Sequence, residues 1–313
     1  MVLRKKLVKG KEYYYFDLSY YIINKSKTFS KYIGLKKPLK KDLNLIETKF
    51  KNEIIKKLSN KPYTKELISK DDIIRSLLFK NLFTKKYDSL TTVKKKKYDT
   101  ESVDSFTLTT LTTEEVDVDR KDITNARKKK NSLTQREQIS KNMLNAIESI
   151  KEENLLDKQY FLELHKTIMA TFKDKSPGKI RNKNVHLFTR DDEHPFGREL
   201  SYNPPHFNKV NDLLGEFIEW YLKSSLNPVE KAAIAHYKLY RLHPFIDGNK
   251  RMCRLLVNKT FFDESFPLLN ISEEKEGYFD AIINAVENGK PQLLVEFTLK
   301  TYYKQIKKFV ASA

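Results

Sequence analysis

The stretch from Leu242 to Arg254, L-H-P-F-I-D-G-N-K-R-M-C-R, limits the fold more than any other part of the chain. It gathers His243, which can act as a base, Asp247, which can hold a divalent cation, and a Gly248-Asn249 turn ahead of a helix. Arg251 and Arg254 are three residues apart, so both fall on one face of that helix. A helix start offers unpaired N–H groups and a partial positive charge, which suit a phosphate. An imidazole is a useful base near neutral pH because its reference pKa lies there. Ala232, Ala233, Ala235, Tyr237 and Leu239 precede the loop, and Leu255, Leu256, Val257, Phe261 and Phe262 follow it. The pattern predicts two buried central helices joined by a polar loop. Such rigidity matters because misplacing a reacting group by about one ångström is expensive.

Most of the remaining chain has a helical period. Residues 40–59 carry Leu43, Ile46, Phe50, Ile54 and Leu58, and residues 64–83 carry Leu67, Ile73, Leu77 and Leu78. Further helices are expected over 121–153, with a break near Asn131 to Thr134, and over 155–172, 210–222, 276–287 and 291–309. His165, beside an apolar face, reads as a packing histidine. Residues 10–24 are rich in tyrosine and β-branched residues and suggest short strands, with another strand or turn from Ser30 to Leu35. Lys94 to Lys97 reads as a solvated linker.

Charge is uneven. Residues 1–100 hold 27 Lys/Arg against 10 Asp/Glu, and the other 213 residues hold 33 against 31. A basic module of this kind can steer toward nucleic acid, an acidic partner or anionic lipid, and tyrosines beside lysines can stack bases. Cys253 is the single cysteine, so no disulfide forms within the chain. It reads as a small buried hydrophobe. No apolar run is long enough for a membrane span, and the N-terminus does not read as a secretory signal, so a cytoplasmic protein is the expectation. No H-E-x-x-H, phosphate-loop, dinucleotide or complete kinase signature is present.

The Leu242–Arg254 stretch resembles the signature of the Fic family (Fic/Doc superfamily), His-x-Phe-x-acid-Gly-Asn-Gly-Arg-x-x-Arg. His243, Phe245, Asp247, Gly248, Asn249, Arg251 and Arg254 match, and Lys250 stands at the second glycine. The segment P-G-K-I-R, from Pro177 to Arg181, is similar to another family segment. The tyrosine-rich opening is similar to a small β element of microbial, particularly archaeal, members. His194-Pro195-Phe196 repeats the first letters of the signature but lacks its phosphate groups.

The resemblance implies an all-α fold: a Fic-like helical core with a short β-hairpin flap and a small N-terminal β element. It divides the chain into a basic accessory region 1–100, an inhibitory-helix-like segment 101–120 and a catalytic region 121–313. It implies transfer of AMP from ATP to a Tyr, Ser or Thr hydroxyl of a target protein. His243 is then the base. Asp247 holds magnesium, with manganese as the alternative. Gly248, Asn249 and Lys250 lie at the nucleotide phosphates, Arg251 and Arg254 hold the leaving pyrophosphate, and Tyr278 belongs to the adenine side. Val185, His186, Leu187 and Phe188 occupy the place of the flap that binds the target. The family's inhibitory pattern is Ser/Thr, three residues, Glu, then Gly or Asn. Aligned here, it puts Ser105 at its start, Thr109 at the glutamate and Thr110 at the glycine. If Thr109 replaces the glutamate, the chain is not strongly autoinhibited through this segment; if it is restrained there after all, Glu101, Glu114 or Glu115 is the alternative acid.

Three alternatives stay open. Lys250 also fits the Doc branch, which transfers the γ-phosphoryl group, although Gly248 and Arg254 favour AMP transfer. An inactive Fic-fold scaffold, or a nucleic-acid-binding protein using the basic N-terminal region, is the other class. Self-modification and a homodimer are further partner expectations.

Overall fold

The computed structural model describes residues 2–152, 155–191 and 198–312. The chain divides into two compact units. One is Met1–Lys86 with Ser225–Asn227 and Ile306–Ala313, and the other is Tyr87–Ser224 with Pro228–Gln305.

The first unit opens with an antiparallel sheet of order β1-β2-β3, formed by β1 (Val2–Val8), β2 (Lys11–Ile22) and β3 (Lys25–Gly34). Both connections are two-residue turns whose residues have positive φ: Lys9-Gly10 at 49° and 74°, and Ile23-Asn24 at 44° and 61°. Turns of this hand match the twist of paired strands. Period-two alternation sends Phe16, Leu18, Tyr20 and Ile22 to one face, where all are buried. Phe16 meets Phe50 of α1 (Leu43–Ser59) edge-on at 6.3 Å. The Tyr20 hydroxyl donates to Asp71 of α2 (Lys70–Asp88) at 2.7 Å, and Lys51 of α1 donates to the same carboxylate at 2.6 Å. The sequence reading starts its strands at residue 10, but the basic opening is itself β1. Its exposed, lysine-rich alternation carries little hydrophobic signal, and its pairing with β2 sets its conformation.

The second unit is helical. It begins with α3 (Thr92–Thr112), α4 (Arg120–Lys128), α5 (Gln135–Lys151) and α6 (Lys158–Met169). Lys94–Lys97, expected as a linker, lies in the first turns of α3, where the Thr91 side chain caps the Lys94 N–H. Reciprocal caps start α4 (Asp119 with Asp122) and α5 (Thr134 with Glu137), which produces the break read near 131–134. A two-stranded sheet follows, β4 (Leu187–Asp191) pairing antiparallel with β5 (Arg198–Tyr202). The unit continues with α7 (Phe207–Lys223), α8 (Pro228–Leu242), α9 (Asn249–Asp263) and α10 (Lys275–Glu287). The last helix, α11 (Gln292–Ala311), belongs to this unit up to Gln305 and to the first from Ile306.

α8 and α9 are the central pair. Val229, Ala232, Ala233, Ala235 and Leu239 of α8 and Met252, Cys253, Leu255 and Phe261 of α9 have no accessible surface. Cys253 is buried as expected, and burial pushes its thiol pKa well up. The fold is thus a predominantly helical Fic-like core with an N-terminal sheet and a short hairpin. Among the described residues no helix is long and apolar enough to cross a membrane.

Candidate active site

Residues 243–248 join the two central helices, and side chains from well-separated parts of the sequence hold them. His243 ends α8 with its N–H on the Leu239 carbonyl (3.0 Å) and a φ of 48°, in the left-handed region. Its own carbonyl accepts from Arg181 Nε at 2.8 Å, and the Arg181 N–H donates to the Pro244 carbonyl at 2.9 Å. Burial above all lowers the His243 pKa to about 3; a hydrogen bond with the Tyr240 backbone opposes it, the charges of Arg181 and Lys250 add to it, and that of Asp247 opposes it least. The imidazole is therefore neutral and keeps a lone pair at physiological pH.

Asn249 closes the loop. Its side-chain oxygen accepts from the Phe245 N–H at 3.0 Å, and its side-chain nitrogen donates to the Phe245 carbonyl at 2.9 Å. The sequence reading gives Asn249 to phosphate. In the structure its amide is engaged by the loop backbone. Phe245 is fully buried, as an apolar anchor should be, and stacks on His165 at 3.5 Å. His165 accepts from the Gly178 N–H through Nδ1 (2.9 Å), so its proton sits on Nε2, which donates to the Asp247 carbonyl (3.0 Å). Burial lowers its pKa to about 4. The packing histidine of the sequence reading is thus a strut of the loop. Gly248, at φ 79°, caps α9, and a Cβ there would lie 2.8 Å from Met169 Sδ. Both conformation and space require glycine.

The start of α9 gathers donors without acceptors. The N–H groups of Asn249, Lys250 and Arg251 belong to a first helical turn, which has no intrahelical acceptor for them. The Asp247 side chain keeps 39% of its surface exposed, and its Oδ1 accepts from Arg251 Nη2 at 3.3 Å. Its Oδ2 has no partner among the described residues, so the carboxylate can hold a hard cation whose other ligands are phosphate and water. Arg251 is 2% exposed, and its Nε and Nη1 have no hydrogen-bond partner among the described residues. Its guanidinium lies 5.2 Å from the Phe172 ring centroid. Buried, unsatisfied guanidinium donors are what a bound phosphate would satisfy. Magnesium and a nucleotide fit these residues.

Arg254, one turn later, is engaged. Its Nη2 donates to Glu114 Oε1 at 2.7 Å and to the Thr110 carbonyl at 3.0 Å, and its Nη1 donates to the Tyr278 hydroxyl at 3.3 Å. Burial works against its charge, but Tyr278 and Glu114 outweigh that and raise its pKa. Lys250 Nζ stands 3.9 Å from the other Glu114 oxygen. Tyr278 is buried, and its hydroxyl also meets His236 Nε2 at 2.9 Å. The ring expected on the adenine side is therefore tied to Arg254 and His236. Burial, then the Arg254 charge, lowers the His236 pKa to about 3.

Glu114 sits at the end of α3. The Val116 N–H returns to the Leu111 carbonyl at 3.2 Å and the Glu115 N–H to that of Thr112, with Glu115 at φ 58°. This is a Schellman stop, whose left-handed position is usually glycine or asparagine. The spacing Thr110, three residues, Glu114, then a left-handed Glu115 fits the inhibitory pattern five residues later than the sequence alignment places it. Ser105 Oγ instead accepts from Asn270 at 2.7 Å, Thr109 is buried with its carbonyl accepting from Thr113, and Thr110 offers its carbonyl to Arg254. The structure brings Glu114, not Thr109, to Arg254.

Of the flap residues, Val185 and His186 precede β4, Leu187 and Phe188 begin it, and Leu187 and Phe188 pair with Tyr202 and Ser201. His186 is exposed, and its Nδ1 lies 2.8 Å from Asn203 Oδ1. His194-Pro195-Phe196 lies outside the described residues.

Residues 155–260 match the Fic/DOC family. The chain is 27% identical over 165 residues to the protein adenylyltransferase fic-1 of Caenorhabditis elegans, a match covering 52% of this chain and 30% of that protein. It is 30% identical over 139 residues to the protein adenylyltransferase Fic of Drosophila willistoni, covering 44% and 26%. The chain thus matches less than a third of the length of these relatives. Among solved structures, a Fic family protein from Desulfovibrio desulfuricans superposes with a TM-score of 0.64 at 20% identity, covering 80% of this chain and 76% of that one. A Fic domain-containing signaling protein from Bacteroides thetaiotaomicron gives 0.61 at 20% identity, covering 74% and 95%. These two show likeness of fold. The relatives named are animal and bacterial, so they do not bear on the archaeal likeness of the opening.

Proposed function

We propose that this chain, whose membership of the Fic/Doc superfamily is well supported, transfers AMP from ATP to a hydroxyl side chain of a target protein. The observation that carries the reading is the pairing of a neutral His243 with a helix start that ends in the unsatisfied, buried donors of Arg251. The catalytic region is 121–313, preceded by the restraining segment 101–120 and the basic accessory region 1–100.

On this reading the target hydroxyl gives its proton to His243, and its oxygen attacks the α-phosphorus. The bond from that phosphorus to the bridging oxygen breaks, and pyrophosphate leaves. Phosphate charge near the loop opposes the cations that depress His243 and so strengthens it as a base. The first-turn N–H groups of α9 stabilise charge on the α-phosphate. Arg251 binds the outer phosphates. A magnesium ion bound at Asp247 would supply Lewis-acid neutralisation of the phosphates. Tyr, Ser and Thr targets, and self-modification, all meet this chemistry.

Glu114 restrains the reaction by engaging Arg254, the second pyrophosphate ligand. A carboxylate there satisfies the guanidinium that a nucleotide would otherwise use. Lys250 favours one competing reading, γ-phosphoryl transfer. Its approach to Glu114 gives it a second role, as a partner of the restraining carboxylate.

The test uses ATP labelled separately on the α- and γ-phosphates, with magnesium and candidate target proteins. AMP transfer predicts α-label on the target and a matching rise in intact mass, both lost in His243→Ala. Stable γ-label without α-label, dependent on His243, would replace this reading with phosphoryl transfer.

A further inference from the structure

The sheet of the first unit has a second face. Cross-strand register places Arg4 and Lys6 of β1 beside Tyr15 and Tyr13 of β2, and Tyr32 of β3 beside Tyr15. Opposite positions share a face, and this one points away from the buried Phe16, Leu18, Tyr20 and Ile22. Tyr32 is 49% exposed, and Tyr21, further along the same face, 72%. Ser19, Thr28 and Ser30 add hydroxyls to it, and all three are exposed.

The charge on this face is one-sided. Asp17 is its single carboxylate, and Arg4 holds it at 2.6 Å. Around the tyrosine end stand Lys6, Lys9, Lys11, Lys36 and Lys37, all exposed and without an ion-pair partner among the described residues. The ordinary way to keep an open sheet face soluble is to intersperse both signs of charge. Here the cations are left in excess over a hydroxyl-rich surface. Residues 1–86 as a whole carry 23 Lys/Arg against 8 Asp/Glu. That combination suits a polyanion with hydrogen-bonding groups between its charges.

The aromatic geometry narrows the choice of polyanion. Tyr32 leans on Tyr13 and Tyr15 with centroids 6.0 and 5.5 Å apart and planes at 44° and 54°. The Arg4 guanidinium covers the Tyr15 ring at 4.9 Å. The ring faces are thus used within the cluster, whereas stacking of single-stranded bases needs open ring faces. Among the hydroxyls of this face, Ser19 and Thr28 bond each other at 2.8 Å and Ser30 accepts from Arg4 and donates to Asp17, while those of Tyr13 and Tyr32 have no partner among the described residues. A major groove about 12 Å wide admits a two-stranded β-ribbon, and the adjacent pair β1 and β2, about 4.8 Å apart, carries Arg4, Lys6, Lys11, Tyr13 and Tyr15 on this face.

We propose that this face binds duplex DNA, the strands entering the major groove with the tyrosine and serine/threonine hydroxyls toward it and the flanking lysines on the phosphates. The proposal stands independently of the reaction assigned to the second unit.

The experiment titrates the full-length chain into a labelled mixed-sequence duplex of about 20 base pairs, and into one of its strands, over roughly 50–300 mM KCl. Saturable duplex binding is expected, weakening with salt at a log–log slope of about 4, as for four to five phosphate contacts. Lys6→Gln with Lys11→Gln should weaken binding at least about tenfold and flatten the slope by roughly 2. Tyr13→Phe with Tyr32→Phe, which keeps the rings, should weaken duplex binding without changing the slope. Lys56→Gln with Lys57→Gln, on exposed positions of α1, is the control and should change little. Thermal melts matched to wild type establish that each variant is folded. The proposal is overturned by no binding at the lowest salt, by tighter binding to the single strand, or by an equal loss in the α1 control. Indifference to the tyrosine hydroxyls would also overturn it.

Discussion

One turn apart on the same buried helix, Arg251 and Arg254 have almost identical exposure, 2% and 3%, and opposite circumstances. Arg254 reaches a carboxylate, a carbonyl and a phenol and lacks a partner only at Nε, while Arg251 has one long contact to Asp247 and two donors without a partner among the described residues. Burying a guanidinium is expensive unless its donors are met. Arg254, which lacks a partner only at Nε, is held by the fold as it stands. Arg251, with two buried donors unmet, marks where a ligand would complete the site. The difference lies outside α9: Glu114, 140 residues upstream, reaches one arginine and not the other.

The largest effect is expected where the chemistry sits. His243→Ala should lower AMP transfer by about 10²–10⁴-fold, the usual worth of a general base, with ATP affinity within about threefold of wild type. A rate assay with nucleotide titration checks both, and unchanged transfer removes His243 from the base role. The two arginines should then separate by what they break. Arg254→Ala leaves the mostly buried Glu114 with only the long contact to Lys250 at 3.9 Å and should cost about 3 kcal/mol of stability in urea unfolding. Arg251→Ala removes donors that the fold leaves unsatisfied. It should cost little stability yet weaken magnesium–ATP binding by about tenfold or more, the worth of a charge-assisted hydrogen bond. Equal stability losses in the two variants would erase the distinction.

Much of the site was legible in the sequence. The loop, the helix start and the two arginines lie within thirteen consecutive residues, Leu242 to Arg254, and their residue types point to the roles proposed for them. The helical core was legible from the period of its apolar residues. What was not legible depends on contacts over long separations. Arg181 and His165 hold the loop from 62 and 82 residues away, and no local pattern marks either as a support. Asn249 reads as a phosphate ligand because its residue type suits one, while its hydrogen bonds go to Phe245. Glu114 stands at the right spacing from Thr110 and is one of three acids the sequence leaves open, but the inhibitory pattern does not single it out, because Glu115 fills the left-handed position where glycine or asparagine is expected. β1 was missed because its lysines mask the alternation that its pairing reveals.

A smaller effect concerns the support behind Arg254. Burial and the Arg254 charge hold His236 near a pKa of about 3 in the fold, against an ordinary value of about 6.5 when unfolded. The unfolded chain therefore takes up a proton there first. The stability tied to a neutral His236 is complete above about pH 6.5 and declines as pH falls toward 3, at up to about 1.4 kcal/mol per pH unit. Unfolding wild type and His236→Asn at pH 7 and pH 5 should show the variant losing about 2 kcal/mol less on acidification. Equal losses would mean that His236 is protonated in the fold. Smallest of all, Glu115→Gly should stabilise by about 1 kcal/mol, since a left-handed residue with a Cβ is strained by about that much. A raised melting temperature is the readout, and a lowered one would show that the Glu115 side chain contributes more than its backbone conformation costs.

The contrast between the two arginines is tested most directly by the rate of AMP transfer from α-labelled ATP in wild type, Glu114→Ala, Arg254→Ala and the double variant. If Glu114 restrains the enzyme through Arg254, Glu114→Ala should be at least about tenfold faster than wild type, the scale of one charge-assisted interaction. The gain should vanish when Arg254 is also replaced. A Glu114→Ala rate no higher than wild type, or a gain that survives the loss of Arg254, would contradict the account.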